Sequence, residues 1–304
     1  MFKLCDIKIN LSCGEDLSTT EVSDSIEDMK SAVAGPDRAL DNHPNILSNL
    51  LILERSHALR MDYFENVQTE IQPYMREVVT TWMLEVCEEQ HCEEQVFPLA
   101  VSYMDRYLAY QAIPNNQLQL LAVTSLLIAS KFRQCTPFAV DLLCEYTENS
   151  FTPDDVKSWE VMLVKFFNWN LSIATAFDFV DPILARVHWG RSNPLIRAHA
   201  LTLAAVCYTN STFLMLQPSV IAVACIMGAT RGLRIVVDAN ELTALVETSP
   251  SIAEIVMVHC ERFVERQSQR EPRWKSTHTG KGADSEDDSR SQPNTPTDVH
   301  DIHF

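Results

Sequence analysis

The sequence predicts an all-α protein whose ordered part is two consecutive groups of five helices preceded by one more. Three observations lead there. The long periodic segments are dominated by Leu, Ala, Met, Glu and Gln, which give up little freedom in a helix. Only 7 glycines and few alternating β-branched runs occur in 304 residues, which argues against an extensive sheet. Proline and hydroxyl-bearing cap residues interrupt the apolar segments at helix-length intervals. An apolar fraction of 46% in a chain of this length is enough to fill two cores.

Taken in order, residues 1–45 are polar and acid-rich, with Asp16, Glu21, Asp24, Glu27 and Asp28 among few large apolar groups. Such a stretch buries too little to offset chain entropy and is expected to be a disordered arm. Ile46 to Val67 reads as an amphipathic helix placed to pack across the five that follow. Those five are expected near 73–90, 94–110, 116–132, 137–146 and 153–167. Pro73 suits the first turn of the first. The nearly continuous apolar run 118–130 marks the third as a buried centre. Thr136-Pro137 and Thr152-Pro153 each offer an N-cap hydroxyl followed by a proline at the first helical position, and Asp155 completes a capping box with Thr152.

A second series is expected near 176–188, 193–210, 217–231, 239–247 and 250–267. Pro182 falls inside its first member, which is therefore expected to start later or to kink. The middle member, Pro218 to Met227, is small and apolar like the helix ending at Lys131, so the halves read as a weak duplication. From residue 268 Ser, Thr, Gly, Pro and charge prevail, and Asp284–Asp288 is an acidic run. That tail is expected to be flexible.

Composition excludes several functions. A net charge of −17 leaves no clustered cations to displace counterions from a phosphate backbone, so direct nucleic-acid binding is not expected. The N-terminal apolar pieces are too short for a secretory signal, and no apolar run is long enough for a bilayer, so no membrane partner is expected. The 9 cysteines form no C-x-x-C pair and read as reduced core residues of an intracellular protein, with no metal site. There is no phosphate loop and no nucleophile elbow. His91 beside Cys92, and His259 beside Cys260, point in different helical directions. No catalytic residue and no cofactor are expected.

Four groups of residues still invite a functional reading. Met75, Val78, Val79 and Trp82 share one helical face, which is either a core stripe or a binding patch. Lys131 and Glu160 sit in largely apolar segments, where unpaired charge costs several kcal/mol, so they read as an ion pair or as groups reserved for a partner. In an extended arm Leu11, Cys13 and Glu15 of an L-x-C-x-E motif line one edge. Thr295 lies before Pro296 in an accessible tail, unlike the Thr-Pro pairs explained as helix caps.

The block Met75 to Trp82, the run Met104-Asp105-Arg106-Tyr107-Leu108, the helix Leu126 to Phe132 and the pair Trp159-Glu160 together resemble the cyclin box. The chain as a whole is similar to the D-type cyclins. This resemblance implies two consecutive cyclin boxes, at 46–172 with the preceding helix and at 173–267, between the arm 1–45 and the tail 268–304. It implies the regulatory subunit of a G1-phase cyclin-dependent serine/threonine kinase, acting at the G1/S transition, with Lys131 and Glu160 holding the kinase's C-helix. Met75, Val78, Val79, Trp82, Glu85 and Gln119 would dock Arg-x-Leu peptides of substrates and kinase inhibitors. Arg76 would be structural, paired with Asp105. Leu11, Cys13 and Glu15 would bind retinoblastoma-type pocket proteins. Phosphorylated Thr295 would direct nuclear export and destruction through a ubiquitin ligase, giving a protein of nucleus and cytoplasm. Two departures stand out: MREVV replaces the MRAIL of many cyclins, and Gln134 stands where many have Glu. The alternative within the fold is a transcription-type cyclin or cyclin-box transcription factor; an α-helical hydrolase has no constellation to support it.

Overall fold

The computed structural model describes residues 43–269, and their side chains as far as Arg262. Among the described residues all regular structure is helical. Helix α1 (Ile46–His57) and the single turn α2 (Tyr63–Asn66) precede two groups. The first comprises α3 (Pro73–Glu89), α4 (Val96–Leu108), α5 (Leu118–Arg133), α6 (Val140–Glu145) and α7 (Pro153–Phe166). The second comprises α8 (Ala176–Leu184), α9 (Pro194–Thr209), α10 (Pro218–Gly232), α11 (Ala239–Leu245) and α12 (Pro250–Gln269). Each group has its own apolar core, and its middle helix, α5 or α10, is buried along almost all its length.

Local chemistry sets most of the boundaries. Pro73 opens α3 at a position where its missing N–H costs no hydrogen bond. At α7 the Thr152 hydroxyl accepts from the Asp155 N–H at 3.2 Å while the Asp155 carboxylate accepts from the Thr152 N–H at 2.9 Å. The Thr152 hydroxyl, which donates to the Asp155 carboxylate at 2.6 Å, and then the Thr152 N–H hold that carboxyl below its usual range. A second capping box, Thr175 with Asp178, opens α8.

Four expectations are corrected. The helix from Ile46 to Val67 is two pieces, broken at Ala58–Asp62, and α1 packs on α8 and α10 of the second group rather than across the first. Its Leu47 and Leu51 belong to the second core, whereas Tyr63 of α2 belongs to the first. The carboxylate of Glu54 explains the orientation: it accepts from the Ser219 N–H at 2.6 Å and the Ser219 hydroxyl at 2.9 Å, closing the N-terminus of α10 from another helix. Thr136 caps nothing. Phe138 is drawn into the first core and its N–H donates to the Ser130 hydroxyl at 3.2 Å, so the chain stays irregular until α6. Finally, α8 begins at Ala176 with Pro182 inside it and ends at Leu184 instead of 188; the chain then doubles back so tightly that a Cβ on Gly190 would lie 2.1 Å from the Leu184 carbonyl oxygen.

The cysteines are not uniformly core residues: Cys135 is exposed and Cys92 half-buried. Cys207, Cys225 and Cys260 converge inside the second core. The three thiols titrate together: hydrogen bonds from Cys207 and Cys225 draw the Cys260 thiol down, while the same contacts and burial push the Cys225 thiol well up.

Candidate functional site

Helix α5 buries Leu118, Leu120 to Ser130, and then meets solvent at Lys131. Helix α7, started by its capping box, turns Val156, Leu163 and Val164 inward and leaves Glu160 at the margin. The two helices lie side by side, so the Lys131 Nζ donates to Glu160 Oε1 at 2.6 Å. The side chains remain 44% and 20% exposed. At that exposure an ion pair is worth about 0–1 kcal/mol, so its members can exchange each other for an external partner at little cost. Phe132 and Val161, which follow them in sequence, are large apolar side chains left open to solvent. Sequence reading missed both; the signal was a bulky apolar residue directly following each of the two charges. Gln134 acts locally: its amide donates to the Thr136 carbonyl at 2.8 Å and accepts from the Glu93 N–H at 3.4 Å, bracing the loop after α5.

The face of α3 divides. Met75, Val79 and Trp82 lie in the first core, and Trp82, only 2% exposed, packs inside rather than standing out as an anchor for a ligand. Val78 and Gln119 are half-buried and Glu85 is exposed, so these form the accessible rim over a closed floor. Glu77, which distinguishes the MREVV sequence, turns away from such a role. Its carboxylate accepts from the Ser211 hydroxyl at 2.7 Å and the Ser211 N–H at 3.2 Å, tying α3 to the 3-10 turn Ser211–Phe213.

Arg76 and Asp105 meet inside the protein through two bonds of 2.8 Å, Nε to Oδ1 and Nη2 to Oδ2. The Tyr63 hydroxyl donates to Asp105 Oδ1 at 2.8 Å, and Arg76 Nη2 also donates to the Tyr208 carbonyl at 3.2 Å. Burial alone would lower the basicity of Arg76, but the charge and hydrogen bonds of Asp105 outweigh it and hold the guanidinium above its usual value. Burial, and then the Asp105 charge, push the Tyr63 phenol well up, so it stays a neutral donor. With Thr80, whose hydroxyl donates to the Thr209 carbonyl at 3.1 Å, this network joins the first group to the end of α9.

Leu11, Cys13, Glu15 and Thr295 lie outside the described residues, as do residues 1–42 of the arm and 270–304 of the tail. Among the described residues no helix is long and apolar enough to cross a membrane.

The family described as "Cyclin, N-terminal domain" matches residues 45–172, which hold both Lys131 and Glu160 and the whole first group. G1/S-specific cyclin-D3 of Homo sapiens is 40% identical over 278 residues, covering 89% of this chain and 95% of the relative. G1/S-specific cyclin-D2 of Rattus norvegicus is 39% identical over 278 residues, covering 88% and 95%. The fold is that of a viral cyclin from herpesvirus saimiri, with a TM-score of 0.65 and 23% identity over 72% of this chain and 96% of that one. Helical architecture, matched domain and identity across nearly the whole length agree, and the chain belongs to the cyclin family, among the D-type cyclins.

Proposed function

We propose that this chain is the regulatory subunit of a G1-phase cyclin-dependent kinase, without catalysis of its own, and that it presents retinoblastoma-type pocket proteins to that kinase at the G1/S transition. The observation that carries the reading is the solvent-open Lys131–Glu160 pair, built by the last turn of α5 and the middle of α7 and flanked by exposed Phe132 and Val161. The mechanism is a population shift. A lone kinase disfavours the arrangement that is competent for phosphoryl transfer, and the cyclin binds that arrangement more tightly; turning 1:99 into 99:1 takes about 5.5 kcal/mol of differential binding. Apolar side chains supply area, while Lys131 and Glu160 fix register by exchanging their mutual bond for bonds to the kinase.

Recruitment rests on other segments. Leu11 and Cys13 offer apolar groups to pockets and Glu15 a carboxylate to basic or backbone donors of a pocket protein. The rim of Val78, Glu85 and Gln119, over the floor of Met75, Val79 and Trp82, is the docking face for Arg-x-Leu substrates and inhibitors, Glu85 meeting the arginine. Phosphate on Thr295 would add about −1.5 to −2 charges for a basic receptor of a ubiquitin ligase, limiting the protein's time in the nucleus relative to the cytoplasm.

A charge exchange tests the central claim. Lys131→Glu alone lowers kinase activation at least about tenfold, a loss of about 1.4 kcal/mol of binding to the competent state. Lys131→Glu combined with Glu160→Lys restores the internal pair but presents reversed charges outward, and activation stays low. Full recovery in the double variant would show that the pair is only an internal brace and would refute the assignment.

A further inference from the structure

Three thiols that sequence spacing leaves unrelated meet in the second core. Cys207 comes from α9, Cys225 from α10 and Cys260 from α12, and all three side chains are buried. The Cys207 Sγ lies 2.8 Å from that of Cys260 and 3.9 Å from that of Cys225, and the three sulfurs all fall within 4.8 Å of one another. Among the described residues they are the one group of three or more ligating side chains that gather in this way. A three-coordinate centre with bonds of about 2.3 Å to sulfur, the length of a zinc–thiolate bond, needs sulfur–sulfur edges of about 3.4–4 Å, which the observed separations straddle.

We propose that Cys207, Cys225 and Cys260 form a binding site for a trivalent, thiophilic, three-coordinate centre of the arsenite class. Charge selects the class. The surroundings are apolar, with Ala204, Ala222, Ala229, Val256 and Met257 in the same core. A divalent zinc ion on three thiolates leaves a net −1, and it also wants a fourth ligand that the cluster does not contain. A monovalent copper ion leaves −2. Burying uncompensated charge in such a medium is heavily penalised. Trivalent arsenic bound to three sulfurs is neutral and complete at three ligands, so it enters the core without net charge.

The exchange balances. Arsenous acid, As(OH)3, loses three As–O bonds and gains three As–S bonds. Each hydroxide departs as water with a thiol proton, or with a solvent proton where the sulfur is already ionised, and the oxidation state of arsenic is unchanged. The adduct cross-links α9, α10 and α12, so it stiffens the second group. Because the sulfurs are buried, entry requires local opening of that core, and the adduct accumulates slowly.

The test uses the full-length, reduced protein incubated with sodium arsenite and then freed of excess reagent. Intact mass should show one arsenic atom added with three hydrogens lost, and X-ray absorption at the arsenic edge should show three sulfur neighbours and no oxygen. Cys207→Ser, Cys225→Ser and Cys260→Ser should each lose the three-hydrogen adduct, while Cys135→Ser, at an exposed position, keeps it. The arsenic-edge measurement on the unaltered protein decides the matter even if a variant folds poorly. Two sulfurs and an oxygen, no adduct at all, or an undiminished adduct in Cys225→Ser would overturn the proposal.

Discussion

Replacing Asp105 by Asn keeps the size and shape of the side chain but removes the charge that Arg76 meets inside the protein. The guanidinium is 2% exposed and the carboxylate 9%, so water cannot take over the lost partner. One of the two 2.8 Å bonds loses its acceptor, because an amide offers one oxygen where the carboxylate offers two. Breaking a buried pair from one side typically costs about 3–5 kcal/mol. For a folded unit of this size each kcal/mol moves the melting midpoint by about 2–4 °C, so Asp105→Asn should lower it by about 6–20 °C. The double change Arg76→Met with Asp105→Leu should cost less than the single one, since it removes both charges. It still leaves the Tyr63 hydroxyl without its acceptor, a penalty of about 1–3 kcal/mol. Thermal and urea unfolding, followed by circular dichroism, read both. A loss under about 1 kcal/mol in Asp105→Asn, or a larger loss in the double variant, would refute the view that an isolated buried charge dominates the cost.

Glu54→Gln should flatten the pH dependence of stability. Burial raises the Glu54 carboxyl above 4.5 despite its bonds to Ser219, so its contribution is fully present below that value and is lost as pH rises through the raised one. The difference between wild type and variant, measured by urea titration from acid to neutral pH, should shift in the variant's favour as pH rises; a constant difference would contradict this. Val78→Glu, on the accessible rim of α3, should weaken binding of an Arg-x-Leu peptide at least tenfold and spare kinase binding; calorimetry showing equal affinity would remove that face from consideration. Leu11→Ala with Cys13→Ala should abolish capture of a pocket protein in pulldown without loss of the kinase. Thr295→Ala should lengthen the protein's half-life in a translation-block chase, and an unaltered half-life would remove the phosphorylation role.

Much of the fold is legible because its signals are local. The apolar run through α5, the proline opening α3 and the Thr152–Asp155 box each encode an element within a few residues. Lys131 and Glu160 are legible for a different reason: charge among apolar neighbours implies a partner. What failed was decided by distant packing. The break after His57 follows from α1 seeking the second core while Tyr63 enters the first, and no local pattern records that choice. Thr136-Pro137 has the chemistry of a cap, but burial of Phe138 overrides it. Trp82 shares its spacing with both a patch and a core stripe, and periodicity cannot say which face is covered. The Cys207–Cys225–Cys260 cluster is invisible to motif reading because its members come from three separate helices.

The position of α1 has a consequence for how the protein is made. Leu47 and Leu51 leave the ribosome early, yet α8 and α10, on which their helix packs, are synthesised only after more than a hundred further residues. At about 5–20 residues per second that gap lasts on the order of ten seconds. Throughout it an apolar helix face has no native neighbour, which makes the nascent chain a client for chaperones and makes any fragment stopping between the two groups prone to aggregate.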